Sequence, residues 1–128
     1  MNRTQKAETV ASLKGIFAEA GLVVVTHNTG LNVAEISELR RRMREAGARF
    51  RIAKNRLTKR ALSGTPYEAL ADYFTGPTAL AYSDDEVAAA KVVVGFAKEN
   101  DALVVLGGAI GTTALDADAV KALAALPS

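Results

Sequence analysis

The sequence predicts an α/β (α+β) fold: a ferredoxin-like split βαβ plait with additional helices at the N-terminus, in the middle and at the C-terminus. Two apolar runs of strand length, LVVVT at residues 22–26 and LVVL at residues 103–106, indicate buried strands. Each belongs to its own βαβ pattern, and a helical stretch separates the two patterns. A doubly wound parallel sheet is the alternative, but four strands with such short connections favour the antiparallel plait.

An amphipathic helix precedes the first βαβ pattern. Apolar residues recur at helical spacing over residues 3–20, and the glycine that follows can end the helix. After the strand at residues 22–26, Asn32 and Glu35 have the spacing of a capping box, in which each side chain accepts a hydrogen bond from the other residue's backbone N–H. They predict the start of a second helix, which Gly47 ends.

The first pattern closes with a half-exposed strand at residues 48–53. Polar and apolar side chains alternate there, with Phe50 and Ile52 on one face and Arg49 and Arg51 on the other. The strand therefore presents two guanidinium groups to solvent on the face that does not contribute to the core.

A helical insertion connects the two patterns. Residues 54–62 predict a short helix. Thr65, Pro66 and Glu68 then supply a capping hydroxyl, a proline at the first helical position and an acid two positions later. This combination predicts a further helix that runs to about Phe74.

The second βαβ pattern begins with TALAY at residues 78–82, which has the composition of a strand. Ser-Asp-Asp-Glu at residues 83–86 predicts a second capping box and a helix after it. The glycine-rich residues 107–111 predict a turn, because their spacing fits neither a dinucleotide fingerprint nor a P-loop. A last helix is predicted over residues 116–126.

Length and composition indicate one soluble domain that spans residues 1–128. The hydrophobic fraction is 49% and the charged fraction 23%, as in globular proteins with a core of their own. The chain contains no cysteine, which excludes disulfides and thiolate metal sites and fits a cytosolic protein. We expect no membrane span and no signal peptide, since no apolar run is long enough for either.

The cations are concentrated in one segment. Ten of the 16 basic residues lie at positions 40–60, together with one acid, Glu45, so this segment carries nine net positive charges while the whole chain carries +2. Like charges at this density repel one another unless an external anion offsets them. A phosphodiester backbone is the commonest such anion in a cell.

Only part of this charge has local partners. Glu38 and Glu45 are one helical turn from Arg42 and Arg41 respectively, so a solvated charged face explains part of the second helix. From Arg49 onward no acid is within reach by sequence. Guanidinium and ammonium groups bind phosphates, and an amide adds hydrogen bonds. The predicted nucleic-acid contacts of this segment are Arg49, Arg51, Lys54, Asn55, Arg56, Lys59 and Arg60.

The positions of the aromatic residues indicate how this segment would bind a nucleic acid. The phenylalanines occupy apolar periodic positions and the tyrosines are not interleaved with the cations, so recognition through the backbone and shape of a folded RNA is favoured over base stacking. Charge alone does not distinguish RNA from DNA, so DNA is an alternative ligand at this point. The single histidine, His27, indicates a structural role, and the acids at residues 84–86 suit a helix start. We therefore predict no enzyme, no catalytic residue, no cofactor and no metal site.

Several segments resemble the family of the bacterial large-subunit ribosomal protein ten, the base of the ribosomal stalk. They are ELRRRMREAG (38–47), FRIAKNRLTKRAL (50–62), GTPYEALADYFTGPTALAYS (64–83), FAKEN (96–100) and LAALPS (123–128). The Lys-Asn-Arg/Thr-Leu motif, which reads Lys-Asn-Arg-Leu at residues 54–57 and lies about twenty residues ahead of Gly-Pro-Thr, is fairly specific. Together the segments extend the resemblance over essentially the whole chain.

The resemblance implies an N-terminal α/β plait that binds the GTPase-associated region of large-subunit rRNA beside ribosomal protein eleven, in the cytoplasmic ribosome. Some members also repress translation of their own mRNA. Matching positions imply that Gly76, Pro77 and Thr78 lie near the RNA and that Lys54 and Asn55 are better contacts than Thr58. Further contributors at the N-terminus are Arg3, Thr4 and Lys6.

In this family a long C-terminal helix carries dimers of the acidic stalk protein, which recruit translational GTPases. The family pattern continues beyond LAALPS, whereas the sequence ends at Ser128. We therefore expect an rRNA-binding domain without the stalk-binding helix, and acidic stalk dimers as partners only of a full-length chain. The alternative function is a protein–protein interaction module on the same plait, with the basic segment docking an acidic partner.

Overall fold

The computed structural model describes residues 1–127. Its elements follow the predicted order, with one strand more than expected. They are α1 (Arg3–Glu19), β1 (Leu22–Asn28), α2 (Val33–Glu45), β2 (Ala48–Arg51), α3 (Asn55–Leu62), a 3₁₀ helix (Glu68–Tyr73), β3 (Thr78–Ser83), α4 (Ala88–Glu99), β4 (Leu103–Ile110), β5 (Thr113–Asp116) and α5 (Ala117–Ala124).

The strands form one sheet in the order β2-β3-β1-β4-β5, and every neighbouring pair is antiparallel. The first four strands have the order of a split βαβ plait, which confirms the predicted fold class and excludes the doubly wound parallel alternative. β1 lies at the centre of the sheet, where Val25 pairs with Leu80 of β3 and with Gly107 of β4.

Helices cover both faces of this sheet, which explains why β1 is apolar without alternation. Leu22 and Val24 point into a core formed with α2, α4 and α5. Val23 and Val25 point into a second core formed with α1, α3 and the 3₁₀ helix. All four side chains are fully buried, as the sequence predicts for this run. We call these two sides of the sheet the α2 face and the α3 face.

The prediction of a turn at residues 107–111 is wrong for most of that segment. Residues 107–110 continue β4 and pair with β5, and only Gly111 and Thr112 form the turn. The glycines are needed because neighbouring atoms come too close for a side chain. A Cβ on Gly107 would lie 2.6 Å from Tyr73 Oη, and one on Gly108 would lie 2.5 Å from the Val23 carbonyl oxygen.

Two helix starts differ from the predictions. The capping box at Asn32 is confirmed, but the one expected at residues 83–86 is wrong, since Ser83 still belongs to β3 and the Asp85 carboxylate accepts from the N–H groups of Val87 and Ala88 instead. The segment after Thr65 forms a 3₁₀ helix rather than an α-helix.

Ile52 is a predicted core residue that the structure places outside. The strand β2 ends at Arg51, so the alternation that should have turned Ile52 inward stops one residue early. The Ile52 side chain is 43% exposed in the connection to α3, whereas Phe50 is buried on the α2 face as predicted.

Candidate nucleic-acid interface

The helix α3 is amphipathic, with its cations on the outer side. Leu57, Ala61 and Leu62 recur at helical spacing and are buried against α1 and the sheet. Thr58 is buried with them, and its hydroxyl donates to the Lys54 carbonyl oxygen over 3.3 Å. The sequence therefore leaves one side of α3 for solvent, and the side chains on it are Lys54, Arg56, Lys59 and Arg60.

A residue of α1 joins this group. Lys6 of α1 lines a recess of about 110 Å³ together with Lys54, Arg56 and Arg60, and Leu57 is the apolar residue of its wall. Arg3 lies one turn before Lys6 on the same helix and is exposed, as is Thr4 between them. The packing of α1 against α3 thus brings together two groups of cations that are about fifty positions apart in the sequence.

The side chain of Asn55 holds the loop in front of β3. Its Nδ2 donates to the Gly76 carbonyl oxygen over 2.8 Å, and its Oδ1 accepts from the Thr78 hydroxyl over 2.5 Å. Thr78 is 4% exposed, so its hydroxyl serves this contact, while Gly76 and Pro77 are exposed. One Nδ2 hydrogen of Asn55 is left for an external acceptor.

Gly76 has a conformation that other residues adopt at a cost. Its φ is +70°, in the left-handed region. A Cβ at this position would also lie 3.1 Å from His27 Nε2. His27 pairs with Thr78 in the β1–β3 register, so the single histidine of the chain lies next to the loop that Asn55 holds. Sequence reasoning missed this proximity, because only the strand register reveals it.

The strand β2 adds two guanidinium groups on the α3 face. Arg51 is half-buried, and its Nη1 donates to the Ser12 hydroxyl of α1 over 2.7 Å. Arg49 is exposed, and its Nη1 donates to the Ala48 carbonyl oxygen. Neither residue contacts a carboxylate among residues 1–127. The contribution of Ser12 has no signal in the sequence, since 39 positions separate it from Arg51.

The arginines of α2 are on the other face and are partly neutralised. Arg41 bridges Glu38 and Glu45, while Arg42 bridges Glu38 and Glu99 and lies 5.4 Å from the centre of the Phe96 ring. Hydrogen bonds from Arg41 and Arg42 lower the pKa of Glu38 to about 2. The local ion pairs expected for this helix are therefore confirmed, and the contact with Glu99 is added by the fold.

Twelve of the thirteen residues predicted as RNA contacts lie on three neighbouring elements and in the segment that leads into β3, on the α3 face. Arg3 and Lys6 come from α1, Arg49 and Arg51 from β2, and Gly76 to Thr78 from the loop and the first residue of β3. The remaining five, Lys54, Asn55, Arg56, Lys59 and Arg60, belong to α3 and its N-cap. We call this set the basic face.

Other kinds of site find little support in the part of the chain that is described. No three His, Asp or Glu side chains among residues 1–127 are grouped so that they could hold a metal ion. No helix among these residues is long and apolar enough to cross a membrane. The basic face is therefore the strongest candidate site within this part of the molecule.

Comparisons with known proteins agree on one family. The sequence profile described as Ribosomal protein L10 matches residues 1–98. Large ribosomal subunit protein uL10 of Paramagnetospirillum magneticum is 60% identical over 128 residues, which is all of this chain and 75% of that protein. The proteins of the same name from Parvibaculum lavamentivorans and Brucella abortus are 59% and 58% identical over the same 128 residues, and the match covers 74% of each.

Proposed function

The chain belongs to the ribosomal protein L10 family, and we propose that within its structural role in the large ribosomal subunit it binds rRNA through the basic face. One observation carries this proposal. Lys6 of α1 and three cations of α3 and its N-cap, Lys54, Arg56 and Arg60, line one recess, and none of the four pairs with a carboxylate within residues 1–127. Cations without a carboxylate partner are available to neutralise phosphates, and this neutralisation supplies much of the affinity for a nucleic-acid backbone.

The type of binding follows from the side chains present. Lys54, Arg56, Lys59 and Arg60 supply phosphate contacts, and the loop held by Asn55 offers exposed backbone that can approach an RNA strand closely. Positive charge extends to either side of these residues, through Arg49 and Arg51 of β2 and through Arg3 and Lys6 of α1. We therefore propose recognition of a folded RNA by its backbone and shape, with no catalytic step.

The resemblance supplies the partner. We propose that residues 1–128 are one rRNA-binding domain that takes the GTPase-associated region of large-subunit rRNA, beside ribosomal protein eleven in the cytoplasmic ribosome. A similar fold in the protein's own mRNA would occupy the same face and repress translation. In a full-length chain the acidic stalk dimers would be further partners, and the domain would form the base of the stalk that recruits translational GTPases.

The test is the double substitution Lys54→Ala with Arg56→Ala. We expect weaker binding to an rRNA fragment of the GTPase-associated region, because two phosphate contacts are lost. The slope of log K against log salt concentration should become shallower by about 1.4 to 1.8, or about 0.7 to 0.9 for each contact. Filter binding at several salt concentrations measures both quantities.

A matched control removes the same charge elsewhere. Lys98 of α4 and Lys121 of α5 are exposed and belong to helices of the α2 face, so their double substitution by Ala should leave affinity and slope close to those of the wild type. Equal losses in the two double variants would contradict the proposal. A polyacidic protein that competes as well as the RNA fragment would favour the alternative module that docks an acidic partner.

A further inference from the structure

The recess between α1 and α3 has the properties of a site for a single anion. Four of its residues, Lys6, Lys54, Arg56 and Arg60, are cationic, and no carboxylate lines it. We propose that this recess binds one phosphate group and that Lys6 is an essential part of it. The inference rests on the proposed function, which it deepens by naming the chemical group and the helix that completes the site.

Electrostatic repulsion is the first argument. The four cations line a space of about 110 Å³, and the ion pairs found among residues 1–127 use only Arg41 and Arg42 as cations. The recess therefore concentrates positive charge that the described part of the protein does not neutralise. A dianion or a phosphodiester would relieve this repulsion and contact several donors at once.

The backbone of α3 gives the second argument. Lys54 is the N-cap and provides no side-chain hydrogen bond, and the first turn holds no acid. The N–H groups of Asn55 and Arg56 have no acceptor within residues 1–127. These groups carry the positive end of the helix dipole, which favours an anion at the end where Lys54 and Arg56 line the recess.

The size of the recess fits a small anion. Its volume of about 110 Å³ corresponds to a few water molecules of about 30 Å³ each, which suits a phosphate group. Phosphate could come from the RNA backbone or from free inorganic phosphate, and the chemistry is the same in both cases. The experiment therefore includes both sources.

The contribution of Lys6 distinguishes a defined phosphate site from non-specific electrostatic attraction of RNA to the basic face. It comes from α1, while the other three cations come from α3 and its N-cap, so the complete recess exists only when α1 packs on α3. A ligand that binds the folded state alone raises the melting temperature. Free phosphate should therefore stabilise the protein through this recess.

Lys6→Ala is compared with Lys14→Ala, which removes the same charge from the same helix. Lys14 is exposed, lies about two turns further along α1 and does not line the recess. Melting is followed by circular dichroism in sodium phosphate and in sodium chloride of equal ionic strength. Binding of the rRNA fragment is measured in parallel for both variants.

We expect phosphate to raise the melting temperature of the wild type and of Lys14→Ala, and not that of Lys6→Ala. We also expect Lys6→Ala to bind the rRNA fragment roughly tenfold more weakly than Lys14→Ala, as for one charged hydrogen bond lost. If phosphate stabilises as predicted but the two variants bind RNA equally, the recess is a site for free phosphate.

Equal phosphate effects in the two lysine variants would overturn the proposal, as would a wild type that phosphate stabilises no more than chloride does. These failures can be distinguished from failure of the proposed function. If only the phosphate site is wrong, Lys54→Ala with Arg56→Ala still weakens RNA binding, and the basic face attracts RNA through its overall positive charge. A double variant that keeps both the wild-type affinity for the rRNA fragment and the stabilisation by phosphate would contradict both proposals.

Discussion

Asn55 connects the basic helix to the loop before β3, because both polar atoms of its amide form hydrogen bonds within the protein. Its partners, Gly76 and Thr78, are 21 and 23 positions away in the sequence. The basic segment predicts Asn55 as an RNA contact and the family resemblance predicts Gly76 and Thr78, but neither predicts that the three residues contact one another. The structure indicates that Asn55 positions the loop in addition to any contact of its own.

Gly76 is the residue at which this arrangement is most easily disturbed. Gly76→Ala should lower the free energy of unfolding by about 1 to 2 kcal/mol, the usual cost of placing an L-residue in the left-handed region, because φ is +70° there. The new Cβ would also press on His27 Nε2 at 3.1 Å. Urea unfolding followed by circular dichroism measures the change.

Gly95→Ala is the control for this substitution. Gly95 lies within α4, and a Cβ there would meet no atom within 4 Å, so alanine should be neutral or stabilising by up to about 1 kcal/mol. If Gly76→Ala is as stable as Gly95→Ala, the loop is not constrained as described.

At the scale of elements, the sequence predicts ion pairs between residues one helical turn apart, but not those between residues far apart in the chain. The ion pairs of Arg41 and Arg42 with Glu38 and Glu45 follow from helical spacing alone, whereas the bridge from Arg42 to Glu99 spans 57 positions and depends on the packing of α2 against α4. The extension of β4 was missed for a different reason. Glycine carries no periodic apolar signal, and the close approach that requires it at Gly108 is a property of the assembled sheet.

The start of α4 yields a prediction on pH. Hydrogen bonds from the N–H groups of Ala88 and Val87 hold the pKa of the Asp85 carboxyl below its ordinary value. Because the pKa is lower in the folded state, this contribution to stability is complete above about pH 4 and is lost as the pH falls through the folded value. Asp85→Ala should cost about 1 kcal/mol at pH 7, and the difference from the wild type should shrink below pH 4.

Asp85→Asn separates charge from hydrogen bonding at this cap. The amide oxygen still accepts from the backbone, so most of the stability at pH 7 should remain, while the carboxylate that titrates in acid is gone. Unfolding curves at pH 7 and pH 3 compare the three proteins. A constant gap between the wild type and Asp85→Ala at the two pH values would show that Asp85 does not stabilise α4 as a carboxylate.

At the scale of the molecule, the sheet separates the cations by face. The basic segment of the sequence runs from α2 through β2 to α3, and the fold places α2 on one face and α3 on the other. The sequence shows where the charge is concentrated and which elements carry it. It does not show that α1 supplies Lys6 to the α3 side, because that depends on the packing of Val10 and Leu13 in the same core as Leu57.

The most direct test of the basic face is a map of amide chemical shifts as the protein is titrated with the rRNA fragment of the GTPase-associated region. We predict that the shifts concentrate at residues 3–6, in β2, in α3 and at residues 75–78, and that α4 and α5 change little. Shifts concentrated on α4 and α5, with α3 unaffected, would contradict the account.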